Sequence, residues 1–77
     1  MKSKEDLVVK FKTLTKSYQD QEAVALAINT EAGAKINRST VSRMYKGEVS
    51  FNLLALVVYA LERKEMNDDP EYQYKII

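Results

Sequence analysis

The amino-acid sequence predicts a small all-α domain of four to five helices. Three observations support this fold class. Apolar residues recur at spacings of three and four, a polar residue suited to cap a helix precedes each such run, and both glycines of the chain follow a predicted helix. Hydrophobic residues make up 45% and charged residues 30% of the 77 residues, which is typical of one globular domain with a thin core.

The first helix is predicted from about Lys4 to Ser17. Ser3 is a suitable N-cap, and Asp6 stands three residues later, where an acidic side chain can complete a capping box. An apolar stripe then recurs at helical spacing. Its members are Leu7, Phe11, Leu14 and Tyr18.

The second helix is predicted from Gln21 to Ala32. Asp20 precedes it as an N-cap, and Gly33 follows it, where a residue that tolerates a positive φ angle ends a helix favourably. The small and aliphatic residues between these limits are compatible with close packing. They are Ala23, Val24, Ala25, Ala27 and Ile28.

The third helix is short, polar and basic, and it is predicted from about Arg38 to Lys46. Asn37 caps it, and Gly47 follows its last turn. Val41 and Met44 are predicted to face inward, so that Arg38 and Arg43 project together from a single exposed ridge. The outward positions carry hydrogen-bond donors and include no acid. Tyr45 is a further candidate for the inward side. The outward positions are Arg38, Ser39, Thr40, Ser42, Arg43 and Lys46.

The fourth helix is predicted from about Phe51 to Arg63 or slightly beyond, with Ser50 as its N-cap. It is too apolar for a surface helix, so we expect it to form the centre of the core. The sequence from Asn67 to Pro70 predicts a turn, because the residue before a proline avoids the α conformation. We therefore divide the chain into a helical domain, residues 1–66, and a turn with a C-terminal arm, residues 67–77. The apolar positions of the predicted fourth helix are Leu53, Leu54, Val57, Val58 and Leu61.

The C-terminal arm alternates polar and apolar residues, which is typical of a short strand or an extended segment. Large apolar side chains at a terminus are seldom left in water. The arm is therefore expected either to pack on its own domain or to pair with the arm of a second copy, and we favour the homodimer. The residues assigned to dimerisation are Tyr72, Tyr74, Ile76 and Ile77.

The composition excludes most small-domain chemistry. The chain has no cysteine and no histidine, which rules out thiolate nucleophiles, histidine bases and nearly all zinc or copper sites. The carboxylates of Asp68, Asp69 and Glu71 fall in a solvated turn rather than a cleft. We therefore expect no enzyme activity, no metal, no cofactor and no small-molecule substrate. The lack of cysteine fits a reducing cytoplasm, and the longest apolar run, Leu53 to Leu61, is too short to span a membrane.

The net charge of +1 hides an uneven distribution of charge along the chain. Residues 32–47 carry four cationic side chains and no acid, whereas residues 62–71 carry five acids and two cations. The middle of the chain should therefore attract a polyanion. A short basic helix held by aliphatic anchors is what reading the DNA major groove requires. The candidates for base contact are Arg38, Ser39 and Arg43.

The stretch from Asn37 to Gly47 resembles the recognition helix of the phage repressor and Cro family of helix-turn-helix proteins. The shared pattern is a polar cap, polar reading positions, an aliphatic residue, two polar positions, an aliphatic residue and a glycine. The resemblance covers about residues 20–62. It implies a lambda repressor-like fold and a sequence-specific transcriptional regulator whose partner is a double-stranded DNA operator. It also implies that Arg38, Ser39 and Arg43 occupy base-reading sites. The positions expected near the DNA backbone are Gln21, Lys35, Asn37, Thr40, Ser42, Lys46 and Asn52.

One feature departs from the family pattern. From Gln21 to Asn37 the chain has about six residues more than the usual spacing, which implies a longer second helix or an enlarged turn near residues 31–36. The competing interpretation is a protein-interaction module or an antitoxin that keeps the helical scaffold without specific DNA binding. Replacing Arg38 and Arg43 with alanine separates the two interpretations.

Overall fold

A computed structural model describes residues 3–68 of the chain, and within them it contains four α-helices and no strand. The predicted all-α class is confirmed for this part of the chain. The predicted C-terminal arm, with Tyr72, Tyr74, Ile76 and Ile77, lies outside the described residues. The helices are α1 (Lys4–Leu14), α2 (Gln21–Ala32), α3 (Arg38–Tyr45) and α4 (Phe51–Asp68).

Each helix begins after the residue that the sequence predicts as its cap. Ser3 and Asp6 form a reciprocal capping box, in which each side chain accepts a hydrogen bond from the backbone N–H of the other. The Asp20 carboxylate accepts from the N–H of Ala23 at 2.8 Å, and the Ser50 hydroxyl oxygen accepts in the same way at 3.2 Å. A cap of this kind contributes about 0.5–2 kcal/mol to the free energy of unfolding.

The end of α1 differs from the prediction. The helix stops at Leu14 rather than Ser17, and residues 15–17 form a turn. The Thr15 hydroxyl donates to the carbonyl oxygen of Phe11 at 2.8 Å, and side-chain bonds of this type compete with continuation of the helix. Tyr18, predicted as the last member of the helical stripe, therefore lies outside the helix, although its half-buried side chain still packs against the core.

Both glycines adopt the left-handed conformation expected of them, with φ angles of 64° at Gly33 and 71° at Gly47. Gly47 ends α3 in a Schellman arrangement. The N–H of Glu48 donates to the carbonyl of Arg43 at 2.9 Å, and the N–H of Gly47 donates to that of Met44 at 3.1 Å. The chain thus turns away directly after the last turn of α3.

The longest helix, α4, continues to Asp68 instead of ending near Arg63. The turn predicted from Asn67 onwards is wrong for its first two residues, because Pro70 restricts only the residue before it. The Lys64 ammonium donates to the Asp68 carboxylate at 2.8 Å within the last turn, and this hydrogen bond raises the pKa of Lys64. In the described part of the chain no helix, α4 included, is long and apolar enough to cross a membrane.

The core forms where α4 packs against both α1 and α2. The short helix α3 also packs against α1 and α2. Seven side chains in this core are fully buried. Burial of one such side chain contributes about 1.5–3 kcal/mol. Because two of the seven belong to α3, the core fixes how that helix is rotated about its own axis. The seven are Phe11, Val24, Ile28, Val41, Met44, Leu54 and Val57.

Candidate nucleic-acid interface

The inner face of α3 anchors the helix to the rest of the domain. Val41 and Met44 are both 0% exposed, as the sequence predicts. Tyr45 is half-buried, and its ring lies 4.8 Å from the ring of Phe11, measured between centroids. The Tyr45 hydroxyl also lies 2.7 Å from the hydroxyl oxygen of Thr15. The opposite side of α3 is therefore presented outward in one defined orientation.

The outer face of α3 carries the candidate base-reading residues. Arg38, Ser39, Arg43 and Lys46 are exposed. Because successive helical residues are rotated by about 100°, Arg38 and Arg43 point roughly 140° apart around the axis, with Ser39 between them. The sequence predicts that both arginines project from a single ridge. Their rotation instead places one at each edge of a broad exposed face, and no other described element covers either.

The Arg43 edge is organised by a short run of hydrogen bonds along the first turn. The Asn37 side-chain oxygen accepts from the Thr40 N–H at 2.9 Å and from the Thr40 hydroxyl at 3.1 Å. The Thr40 oxygen in turn accepts a long bond of 3.5 Å from the Arg43 guanidinium. Asn37 and Thr40, predicted as backbone contacts, thus have a structural role in capping α3 and orienting Arg43.

The Arg38 edge contains an acid that the sequence does not predict there. The Glu22 carboxylate, in the first turn of α2, lies 3.6 Å from the Arg38 guanidinium. Both side chains are well exposed, at 71% for Glu22 and 69% for Arg38. Residues 32–47 contain no acid of their own. The packing of α2 on α3 therefore brings a negative charge onto the edge of a face that is purely cationic in sequence.

The connection between α2 and α3 is held by one amide side chain. Asn29 donates to the carbonyl oxygen of Ile36 at 2.9 Å and accepts from the N–H of the same residue at 2.7 Å. The connection spans residues 33–37 after an α2 of 12 residues. Both backbone groups of Ile36 are satisfied by this paired contact, so the turn that places α3 has a defined shape.

The remaining predicted contact residues are distributed around α3. Gln21 is the half-buried first residue of α2, Lys35 is exposed in the connection, and Asn52 is exposed in the first turn of α4. Ser42 is half-buried on α3 itself. Within the described part of the chain, these four side chains and that of Ser39 have no hydrogen-bond partner. They are therefore available for contacts with a ligand.

A second exposed surface lies on α4. Leu56, Tyr59 and Met66 are 51%, 62% and 50% exposed and follow one another at helical spacing; we call them the α4 stripe. The Arg63 guanidinium lies 5.8 Å from the centre of the Tyr59 ring and donates to the backbone carbonyl of Glu31 at 2.8 Å. The α4 stripe is the feature of the described residues most typical of a protein contact.

Three residues that shape the site have weak or no sequence signals. Asn29 is a poor helix former inside a helix, which can indicate that its amide has a specific partner. Thr15 interrupts a predicted helix at a position where the apolar pattern gives no reason for it to end. Glu22 has no signal at all, since its effect depends on how α2 and α3 pack.

Comparison of the chain with models of protein families, with curated proteins and with solved structures finds no match in any of the three. The resemblance of residues 20–62 to phage repressor and Cro proteins thus depends on the motif alone.

Proposed function

We propose that this chain is a sequence-specific DNA-binding protein that places α3 in the major groove of duplex DNA. The observation that carries this proposal is the division of α3 into two faces. Its inner face is anchored by Val41 and Met44, and its outer face is exposed, basic and free of acids on the helix itself. A major groove admits one α-helix, and a rigidly mounted polar helix is what reads it.

The base contacts are assigned to Arg38, Ser39 and Arg43. A guanidinium can donate two parallel hydrogen bonds to O6 and N7 of guanine, and each such pair supplies about 1–3 kcal/mol of discrimination between bases. Since the two arginines stand at opposite edges of the outer face, they address base pairs on either side of the one that Ser39 faces. The Ser39 hydroxyl can either accept or donate a hydrogen bond, so its contact discriminates little between bases.

The backbone contacts are assigned to residues around this face. Lys35 and Lys46 supply cationic attraction to phosphates, and Gln21, Ser42 and Asn52 supply neutral hydrogen bonds. Cationic contacts release bound counterions, so the logarithm of the affinity falls by about 0.9 for each neutralised phosphate per tenfold rise in salt. A steep loss of affinity between low and moderate salt is therefore expected of this protein.

The biological role that best fits is a transcriptional regulator of the phage repressor and Cro type that acts as a homodimer on an operator. One reading helix contacts only a few base pairs, and a two-fold dimer places two such helices on half-sites about 34 Å apart. We assign the dimer contact to a second copy of this chain that covers the α4 stripe. Tyr72, Tyr74, Ile76 and Ile77, the residues that the sequence assigns to dimerisation, lie outside the described residues, and their role stays a prediction.

Selection of bound duplexes from a random pool tests the proposal. We expect the wild-type protein to enrich one sequence motif, and we expect Arg38→Ala and Arg43→Ala each to relax the preference at a different position of that motif. Lys16→Ala is the control, since it removes one exposed cation from the turn after α1, beside the last turns of α4. A wild-type protein that enriches no motif contradicts the proposal.

The second candidate function is a protein-interaction module, such as an antitoxin, that uses the same scaffold without specific DNA binding. The α4 stripe favours it, because apolar patches of this kind mark protein contacts. Under this alternative, alanine at both Arg38 and Arg43 leaves partner binding unchanged. Under the preferred function, the same double variant folds normally and loses DNA binding.

A further inference from the structure

The contact between Glu22 and Arg38 joins the first turns of two helices. Arg38 is the first residue of α3, where the exposed N–H groups already give the helix end a partial positive charge. A cation at this position is electrostatically unfavourable unless an anion lies nearby. The Glu22 carboxylate, 3.6 Å from the guanidinium, is that anion.

The pair is too exposed to be explained by stability. Ion pairs between exposed side chains contribute little to folding, because water screens them. Its main effect is therefore local: it directs the Arg38 guanidinium and lowers the positive potential at one edge of the outer face of α3.

We infer that Glu22 is a specificity-determining residue, which keeps Arg38 from binding backbone phosphates and reserves it for a base edge. This inference depends on the proposed DNA-binding function. A phosphate that approached Arg38 would also approach the Glu22 carboxylate, and the two anions repel each other. A guanine presents two neutral acceptors and meets no such repulsion.

The chemistry of arginine allows both contacts at the correct base. A guanidinium has five N–H donors, so one can remain directed at the Glu22 carboxylate while two others reach O6 and N7 of guanine. Glu22 thus lowers the non-specific affinity for DNA, which depends on phosphate contacts. It lowers the affinity for a site where Arg38 contacts guanine much less. The ratio of specific to non-specific affinity rises as a result.

The substitution Glu22→Gln tests this inference, because glutamine keeps the shape and an acceptor oxygen but removes the charge. Dissociation constants are measured for the selected duplex and for a scrambled duplex of equal length, each at 50 and 200 mM salt. We expect the affinity for the scrambled duplex to rise roughly two- to five-fold at the lower salt concentration. The affinity for the selected duplex should change less, and the salt slope on the scrambled duplex should steepen by up to about 0.9.

Glu31→Gln is the matched control. Glu31 lies on the same helix and has its carboxylate 3.9 Å from the guanidinium of Arg63, so the control removes an equal charge from another ion pair. It should alter neither the affinity ratio nor the salt slope more than slightly.

Two negative outcomes have different meanings. If the wild-type protein prefers the selected duplex and Glu22→Gln leaves both the affinity ratio and the salt slope unchanged, or lowers both affinities equally, the inference about Glu22 is overturned and the DNA-binding function stands. If the wild-type protein shows no preference between the duplexes, the proposed function fails first, and this inference fails with it.

Discussion

The hydroxyl oxygens of Thr15 and Tyr45 lie 2.7 Å apart, and this hydrogen bond joins the end of α1 to the last residue of α3. Thr15 also lies 2.8 Å from the carbonyl oxygen of Phe11, to which its hydroxyl must donate. Tyr45 is therefore the donor in the bond between the hydroxyls. The turn after α1, which shortens that helix relative to the sequence prediction, thus positions the helix that carries the proposed reading face.

Removing this bond should destabilise the domain modestly. Tyr45→Phe keeps the ring that packs on Phe11 but removes the hydroxyl donor, and the expected loss is about 0.5–1.5 kcal/mol in the free energy of unfolding. Urea denaturation measures it. Tyr18→Phe is the control, since the Tyr18 side chain packs against the core but its hydroxyl has no hydrogen bond in the described part of the chain. Equal stability of the Tyr45 variant and the wild-type protein would contradict this account.

The paired amide contact between Asn29 and Ile36 should contribute more to the free energy of unfolding than the bond between Thr15 and Tyr45. Asn29→Ala leaves a partly buried N–H and carbonyl without partners, which costs about 1–3 kcal/mol. Because this turn places α3, the variant should also bind the selected duplex more weakly than its stability alone explains, measured at a temperature where it is folded. Thr30→Ala, one residue away and exposed, should change neither property appreciably. A stable variant with full affinity would show that the turn does not need the amide.

The inner anchor of α3 provides a test of the fold itself. Met44 is 0% exposed, so Met44→Ala leaves a cavity and should cost about 2–5 kcal/mol in the free energy of unfolding. Leu26 is 69% exposed on α2, so Leu26→Ala should stay within about 0.5 kcal/mol of the wild-type protein. Thermal denaturation of both variants makes the comparison. Similar losses at the two positions would mean that α3 is not packed as described.

The proposed dimer contact depends on the α4 stripe. Leu56→Glu places a charge at the first residue of that stripe and should shift the protein from dimer to monomer in sedimentation velocity, with its helical circular dichroism unchanged. Thr30→Glu introduces the same charge at an exposed position of α2 and serves as the control. A dimer that survives Leu56→Glu would place the contact between copies elsewhere.

Local signals in the sequence predict the starts of the helices well. The N-caps Ser3, Asp20, Asn37 and Ser50 act over three residues, so their partners are fixed by the sequence itself. The same holds for the positive φ angle after α3, because only glycine adopts it without strain. The inward orientation of α3 also follows from spacing alone.

The parts of the site that the sequence does not predict all depend on contacts between helices. The ion pair of Glu22 with Arg38 requires the packing of α2 on α3, which no local pattern contains. The early end of α1 depends on the Thr15 hydroxyl, whose choice of partner is settled only when Tyr45 is in place. The continuation of α4 beyond Arg63, which lies outside the site, has a local cause instead. Its last turn is polar, so helix periodicity does not predict it, and an ion pair within the helix, Lys64 with Asp68, stabilises it.

Contact between the outer face of α3 and duplex DNA is tested most directly by an NMR titration of the isotope-labelled protein with the selected duplex. We expect the largest changes in backbone amide shift to fall within residues 38–46, with smaller ones at Gln21 and Asn52. If the changes instead cluster on the α4 stripe, or if adding the duplex shifts no resonance, α3 is not the DNA-reading element of this protein.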